Sequence, residues 1–331
     1  MKNIAILGAT GMVGREVLKI LEQRKFPVNE LYLFASERSE GLTLNFRDKE
    51  VEVRSDYADI IDPTDVAFSC LDETLAREIV PKFREKGKLT IDNSAAYRMD
   101  PEVPLVVPEV NPEKINEHKG IIANPNCSTI QMVVVLCPLH KQSRIKRIVV
   151  ATYQAVSGTG KAAVEELKLE HEFLAMGEPI KKMKDRVYDH PIAGNVIPQI
   201  GGFNEEGYTK EEMKMLNETR KILGDPQIQV TATCVRVPVL NGHSEAVSVE
   251  FEEFIPLHMV KDLLRHAPGV KLLDKHENYP MPIQADGRDE VFVGRIRRDF
   301  AFDNGLALWI VSDNIRKGAA LNAVQIAELL S

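Results

Sequence analysis

One passage near the N-terminus constrains the fold more than any other. Apolar residues from Ile4 to Leu7 read as a buried parallel strand, and they run into Gly8–Ala9–Thr10–Gly11–Met12–Val13–Gly14. Val13, Val17, Ile20 and Leu21 then recur at helical spacing. Strand, glycine turn and helix in that order set a helix N-terminus against a pyrophosphate, as in a dinucleotide site. Gly8 permits the tight turn, Gly11 the close approach of phosphates, and Gly14 the packing of helix on strand. The spacing is GxxGxxG rather than GxGxxG, so the flanking strand and helix carry as much weight as the glycines.

Strand and helix patterns go on alternating. Residues 30–35, 65–70, 89–92, 105–107 and 120–123 read as strands, and 73–85 as a helix. That alternation predicts a doubly wound parallel α/β sheet, Rossmann-like, with ligand positions at the strand ends. Ser69, Asn93 and Asn124 stand at such ends. After the second strand, where an acid would hold the ribose diol of NAD, the chain has Ser36–Glu37–Arg38–Ser39. Two hydroxyls and a guanidinium suit the 2′-phosphate of NADP, and Glu37 runs against that reading.

A chain of 331 residues is long enough for two cores. A net charge of −7 gives no reason to expect nucleic acid or an anionic membrane as a partner. The basic stretch Lys181–Lys182–Met183–Lys184–Asp185–Arg186 is short, lacks aromatics, and reads as a solvated loop or subunit rim. No run approaches the ~18 apolar residues of a membrane span, and the early strand leaves no room for a signal core. Cys70, Cys127, Cys137 and Cys234 form no CxxC pair, and neither a disulfide framework nor a metal site is expected. A reducing cytoplasm fits best.

Pro125–Asn126–Cys127–Ser128–Thr129–Ile130 is the sharpest chemical signal. Pro125 stops one element, Asn126 is a good N-cap, and Ile130, Val133, Val134 and Leu136 open a new apolar stripe. Cys127 then falls in a first helical turn, where unpaired N–H groups favour a thiolate. Cys70, Cys137 and Cys234 read as packing residues. Of eight histidines, His243 has the best setting for acid/base work, an accessible turn between apolar runs at 237–240 and 246–249. His118, His140 and His171 read as surface residues, and His190, His258, His266 and His276 as non-catalytic.

Gln154 interrupts an apolar strand that leads into Ser157–Gly158–Thr159–Gly160. Arg236 lies in another apolar strand, where a buried guanidinium needs an anion. Glu211 and Lys214 are one helical turn apart, and spacing alone favours a surface pair over a shared polar pocket. Strand patterns at 246–253, 290–297 and 306–312 predict a second, α+β domain with a mixed, largely antiparallel sheet, and a final helix starts at Asp313–Asn314. The domains are expected at 1–126 with 313–331, and at 127–312.

Taken together these motifs resemble the aspartate-β-semialdehyde dehydrogenase family. The resemblance rests on the glycine turn, Asp92–Asn93–Ser94–Ala95–Ala96–Tyr97–Arg98, Pro125–Asn126–Cys127–Ser128–Thr129 and Tyr153–Gln154–Ala155–Val156–Ser157–Gly158. It extends to Cys234–Val235–Arg236–Val237, His243 and Ser312–Asp313–Asn314–Ile315–Arg316–Lys317–Gly318, so it spans the chain. The compact spacing around His190–Pro191 is similar to the branch without long insertions.

The resemblance implies a nucleophile at Cys127, an acid/base at His243 and a positioning amide at Gln154. It implies that Arg236 holds the substrate α-carboxylate, Glu211 its amine, Arg98 and Lys214 phosphate, and Asn126 the acyl oxygen. NADP would lie on Gly8, Thr10, Gly11, Met12, Val13, Gly14, Ser36, Arg38, Ser39, Ser69, Asn93, Ser157, Gly158 and Asn314. It further implies a homodimer assembled through the second domain, and a role in amino-acid biosynthesis. N-acetyl-γ-glutamyl-phosphate reductase is the alternative within the same chemistry, and the Glu211/Arg236 pair speaks against it. Glyceraldehyde-phosphate dehydrogenase fits the cysteine motif less well, and a non-catalytic redox sensor would bind cofactor without turnover.

Overall fold

The computed structural model describes residues 1–180, 186–275 and 277–330. The basic residues 181–185 and His276 lie outside them. The chain divides into two compact units, Met1–Asn126 with Gly318–Ser331, and Cys127–Lys317. The second boundary follows Lys317 rather than preceding Asp313, because residues 313–316 bond within the second unit. Gly287 N–H donates to Asp313, Gly242 N–H to Asn314, and Arg316 pairs with Asp289.

Among the described residues the first unit holds a seven-stranded sheet of β1 (Lys2–Leu7), β2 (Val28–Phe34), β3 (Thr43–Phe46), β4 (Lys49–Arg54), β5 (Val66–Ser69), β6 (Leu89–Asp92) and β7 (Ile121–Ala123). Its order is β3-β4-β2-β1-β5-β6-β7, parallel except for the edge hairpin β3/β4, which the sequence reading missed. β1 is buried on both faces. Ile4 and Ile6 pack with Val17 and Leu21 of helix Met12–Gln23 and with Val324 and Ala327, while Ala5 and Leu7 pack with Ile79 and Phe83. Chain order reverses across β1, between β2 and β5, and that crevice is where such sheets bind ligands.

Two expectations fail here. Residues 105–107 form no strand beyond a single bridge from Leu105 to Ala123, because the Asn111 side chain takes up the Val107 N–H and the Leu105 carbonyl. The final helix does not begin at Asp313–Asn314. The Asp313 carboxylate accepts from Ile315 and Arg316 N–H, a wide π-helical turn follows at Arg316–Ala320, and the α-helix is Leu321–Leu329.

The glycine turn is built as its spacing implies. Gly8 has φ +83, and a Cβ there would meet the Cys70 carbonyl oxygen at 2.6 Å. A Cβ on Gly14 would press on the Gly8 carbonyl and reach Ala9 Cα at 2.8 Å. Because backbone rather than a pliant side chain opposes it, Gly14→Ala should destabilise the protein by about 1–3 kcal/mol. A urea midpoint unchanged from wild type would show that helix and turn tolerate the added methyl.

In the second unit the described strands are β8 (Ile145–Gln154), β9 (Gln229–Arg236), β10 (His243–Phe251), β11 (Val270–Leu273), β12 (Val291–Arg298) and β13 (Gly305–Ser312). Their order is β11-β12-β13-β10-β8-β9, with the central pairs antiparallel and the outer pairs β11/β12 and β8/β9 parallel. β8 alternates cleanly. Val150, Thr152 and Gln154 are buried, while Val149 and Tyr153 are exposed on the other face. Helices Cys127–Gln142, Lys210–Leu223 and Leu257–His266 pack against strands of this sheet. β12 departs from the expected alternation. Val291–Gly294 is buried on both sides, and only after the irregularity at Gly294/Arg297 does exposure alternate. No helix among the described residues is long and apolar enough to cross a membrane.

Candidate active site

Cys127 opens helix Cys127–Gln142 and is half-buried, while Cys137 and Cys234 are buried. The remaining polar residues of the second unit converge through sheet register. Gln154 ends β8 opposite Arg236 at the end of β9. On the other side of β8, Tyr153 pairs with Ser244, which brings His243 beside the end of the same strand. Residues far apart in the chain thus meet at the ends of three adjacent strands.

The Gln154 amide donates to Glu211 Oε1 at 3.2 Å and to Thr152 Oγ1 at 3.3 Å. Lys214 Nζ lies 3.0 Å from Glu211 Oε2. Glu211 is only 5% exposed, so the surface-pair reading favoured by spacing is wrong. Helical spacing reports that two residues share a face, and it is silent on what covers that face. Thr152, which the sequence reading missed, stands two residues before Gln154 on the same side of the strand and carried no signal of its own.

Arg236 is 5% exposed. Its Nη1 donates to the Ala155 carbonyl at 2.6 Å, its Nε has no partner, and among the described residues no carboxylate pairs with it. A buried guanidinium without an anion is costly, and at a functional site it marks where an anionic ligand belongs.

His243 differs from the sequence expectation. It is fully buried rather than accessible, because it begins β10 between β8 and β13. Its Nδ1 accepts the Ala155 N–H at 3.0 Å, which leaves the proton of the neutral ring on Nε2. Burial, with the Arg236 guanidinium beside it, pushes its pKa down to about 3. Among the described residues Nε2 has no partner, so the ring presents one unused donor. Gly158 gives the ring this room. A Cβ there would fall 2.9 Å from Arg236 Nη1 and 3.2 Å from His243 Nε2.

The turn before His243 is clamped. Ser157 Oγ donates to Asn241 Oδ1 at 3.0 Å, Asn314 Nδ2 donates to Ser157 Oγ at 2.9 Å, and Gly242 N–H donates to Asn314 Oδ1 at 2.8 Å. Asn241 Nδ2 also reaches Asp313 at 2.9 Å. Asn241 and Asp313 were not anticipated; the Asn–Gly pair at 241–242 was the available signal for a turn needing such support. His118 and His140 are half-buried rather than superficial, since their rings cap the Gly120 and Ile145 N–H groups.

The first unit carries the other predicted residues. Gly8, Thr10, Gly11, Met12, Val13 and Gly14 form the turn and the start of helix Met12–Gln23, which has no side-chain cap and no acid in its first turn. Thr10 Oγ1 lies 3.2 Å from Ser39 Oγ, and Ser36 and Arg38 are exposed beside it. Ser69 ends β5, and its carbonyl accepts from the Asn93 amide. Arg98 is buried and donates to the Asn93 carbonyl at 2.8 Å. Asn126 is buried directly before the helix of Cys127.

Residues 3–118 match the sequence family described as semialdehyde dehydrogenase, NAD binding domain, and residues 136–317 match semialdehyde dehydrogenase, dimerisation domain. The aspartate-semialdehyde dehydrogenase of Aquifex aeolicus is 55% identical over 333 residues, covering 99% of this chain and 97% of the relative. The chain belongs to the aspartate-semialdehyde dehydrogenase family. Aspartate semialdehyde dehydrogenase II of Vibrio cholerae, solved as a complex with ASA, superposes with a TM-score of 0.97. It is 48% identical and covers 100% of this chain and 98% of its own. The Candida albicans enzyme solved with NADP gives a TM-score of 0.77 at 29% identity, covering 100% of this chain and 98% of its own. Family membership bears out the resemblance read from the motifs, together with the fold class of a dinucleotide-binding sheet joined to a mixed-sheet domain. It places the chain among the phosphorylating aldehyde dehydrogenases.

Proposed function

We propose that the chain catalyses the reversible, phosphate-dependent oxidation of L-aspartate 4-semialdehyde with NADP, through a thioester on Cys127. In biosynthesis the reaction runs as reduction of 4-phospho-L-aspartate. The observation that carries this reading is Arg236, buried and, among the described residues, without an anion beside the unused Nε2 donor of His243. A substrate α-carboxylate supplies the missing charge, and Glu211 meets its amine.

Cys127, favoured as a thiolate at its helix N-terminus, attacks the aldehyde carbon and forms a C–S bond. Negative charge moves to the oxygen, where the His243 Nε2–H and Asn126 stabilise it, and Gln154 holds the reacting carbon in place. A nicotinamide cofactor held on the glycine turn would supply the hydride acceptor for this direction and the hydride donor for the other. Cys127 then carries a thioester, and a phosphate oxygen held by Arg98 and Lys214 attacks its carbonyl. The C–S bond breaks, aspartyl phosphate leaves, and the thiolate is restored. His243 thus works first as a donor; to act as a base it has to move its proton to Nδ1.

Several features support NADP. The helix at Met12 offers first-turn N–H groups uncapped by any side chain, over a glycine floor that added Cβ atoms would fill. Ser36, Arg38 and Ser39 receive the 2′-phosphate, and Ser69, Asn93, Ser157, Gly158 and Asn314 complete the cofactor surface. Arg38→Ala should weaken NADP by about tenfold and leave NAD unchanged, the worth of one charge-assisted contact. Equal losses with both cofactors would remove Arg38 from that role. The second unit mediates a homodimer, consistent with Val149 and Tyr153 exposed on its sheet, and the cytoplasm keeps Cys127 reduced.

The deciding experiment measures NADP reduction with aspartate semialdehyde, with and without phosphate, beside N-acetylglutamate semialdehyde. Turnover that requires phosphate and the free amino aldehyde supports the proposal. Preference for the acetylated substrate would replace it with the N-acetyl-γ-glutamyl-phosphate reaction.

A further inference from the structure

Glu245 is a carboxyl group with 0% exposure that the chemistry above does not use. Among the described residues neither of its oxygens has a hydrogen-bond partner. Buried orphan carboxyls are rare enough to need an explanation. It follows His243 by two positions on β10, so both side chains project from the same face of the strand. Across the sheet it pairs with Thr152 on β8 and Ile310 on β13.

Helix Cys127–Gln142 packs on these strands, and Gln131 lies one turn beyond Cys127. Ser312, the cross-strand partner of His243, donates from Oγ to Gln131 Oε1 at 2.7 Å. That bond turns the Gln131 amide nitrogen away from Ser312. This nitrogen is buried without a partner, and Glu245 lies next to the same side chain. Gln131 follows Cys127 by four positions on the helix, as Glu245 follows His243 by two on the strand, so each lies one step further along its own element.

We propose that Glu245 is a positioning residue for the Cys127 turn, acting through the side-chain amide of Gln131. This rests on Cys127 being the nucleophile. Burial holds the carboxyl in its protonated form. The titratable groups near it are Cys234 on β9, itself raised by burial, and His243 two positions away on the same strand; Thr152 and Ile310 pair with it across β8 and β13. None of these is a cation that could hold a carboxylate there. A negative charge buried beside the Cys127 turn would raise the thiol midpoint, opposing catalysis.

The test follows iodoacetamide alkylation of Cys127 in the full-length protein against pH, located by mass spectrometry, alongside kcat and KM. Glu245→Gln keeps a neutral polar group of the same shape and should leave the thiol midpoint within about 0.3 pH unit of wild type. Glu245→Leu removes the polar neighbour of Gln131 and should raise the midpoint and lower kcat about tenfold at unchanged KM, because the first-turn N–H groups lose their alignment on the sulfur. Gln131→Met carries the same expectation if the leucine variant does not fold. A midpoint that falls by about a unit in Glu245→Gln would mean the group is charged, and overturns the proposal. So would a leucine or methionine variant with wild-type profile and kcat. Alkylation of Cys127 that leaves turnover intact would instead refute the nucleophile itself, a distinguishable result.

Discussion

Cys127→Ala should fold, bind NADPH as the wild type does, and lose turnover by about 10⁴-fold or more, the scale seen when a covalent nucleophile is removed. The fold should survive because the side chain is small, half-buried and sits at the first position of its helix. Activity should not, since no other cysteine can substitute. Cys137 and Cys234 are buried, and burial pushes the Cys70 thiol far above its ordinary range. Phosphate-dependent NADP reduction and NADPH fluorescence, measured on one preparation, separate the two expectations. Retained turnover would remove Cys127 from the chemistry.

His243→Asn should cost about 10²–10⁴-fold in kcat, the usual worth of a positioned proton donor. Asparagine keeps an acceptor for the Ala155 N–H and loses the Nε2 donor, so the fold is preserved while the donor is not. The pH dependence follows from the direction of the shift. The imidazole is neutral in the folded protein down to about pH 3, whereas in the unfolded chain it protonates near ~6.5. The unfolded state therefore binds more protons between these values. The stability tied to neutral His243 is complete above ~6.5 and is lost as pH falls from there towards 3. In His243→Asn that acid-side decline should flatten. The kcat/KM profile of the wild type should show no acid limb near ~6.5. A clear break there, abolished in His243→Asn, would mean the ring is solvated and titrates normally.

The glycine turn, the first helix and the helix of Cys127 were legible because each is specified by neighbours in sequence. Gly8 and Gly14 answer steric demands of residues a few positions away, and Pro125–Asn126 marks a helix start without reference to the rest of the chain. The errors occurred where a distant partner overrides a local pattern. Asn111 withdraws Val107 from the sheet, the Asp313 carboxylate delays the last helix, and the edge hairpin β3/β4 hides in a polar stretch.

The candidate site divides along the same line. Residue types and spacing singled out Cys127, Gln154, Arg236 and His243 as candidates, since polar groups set at a helix start or within apolar runs need a reason to be there. Their physical state came from tertiary structure. Sheet register between β8, β9 and β10 puts Arg236 beside His243 with no anion among the described residues and buries Glu211 under Gln154; it also supplies the Ala155 N–H that decides which imidazole nitrogen keeps its proton. Charge and protonation depend on solvent exclusion and on atoms brought from other parts of the chain, and a one-dimensional pattern carries neither.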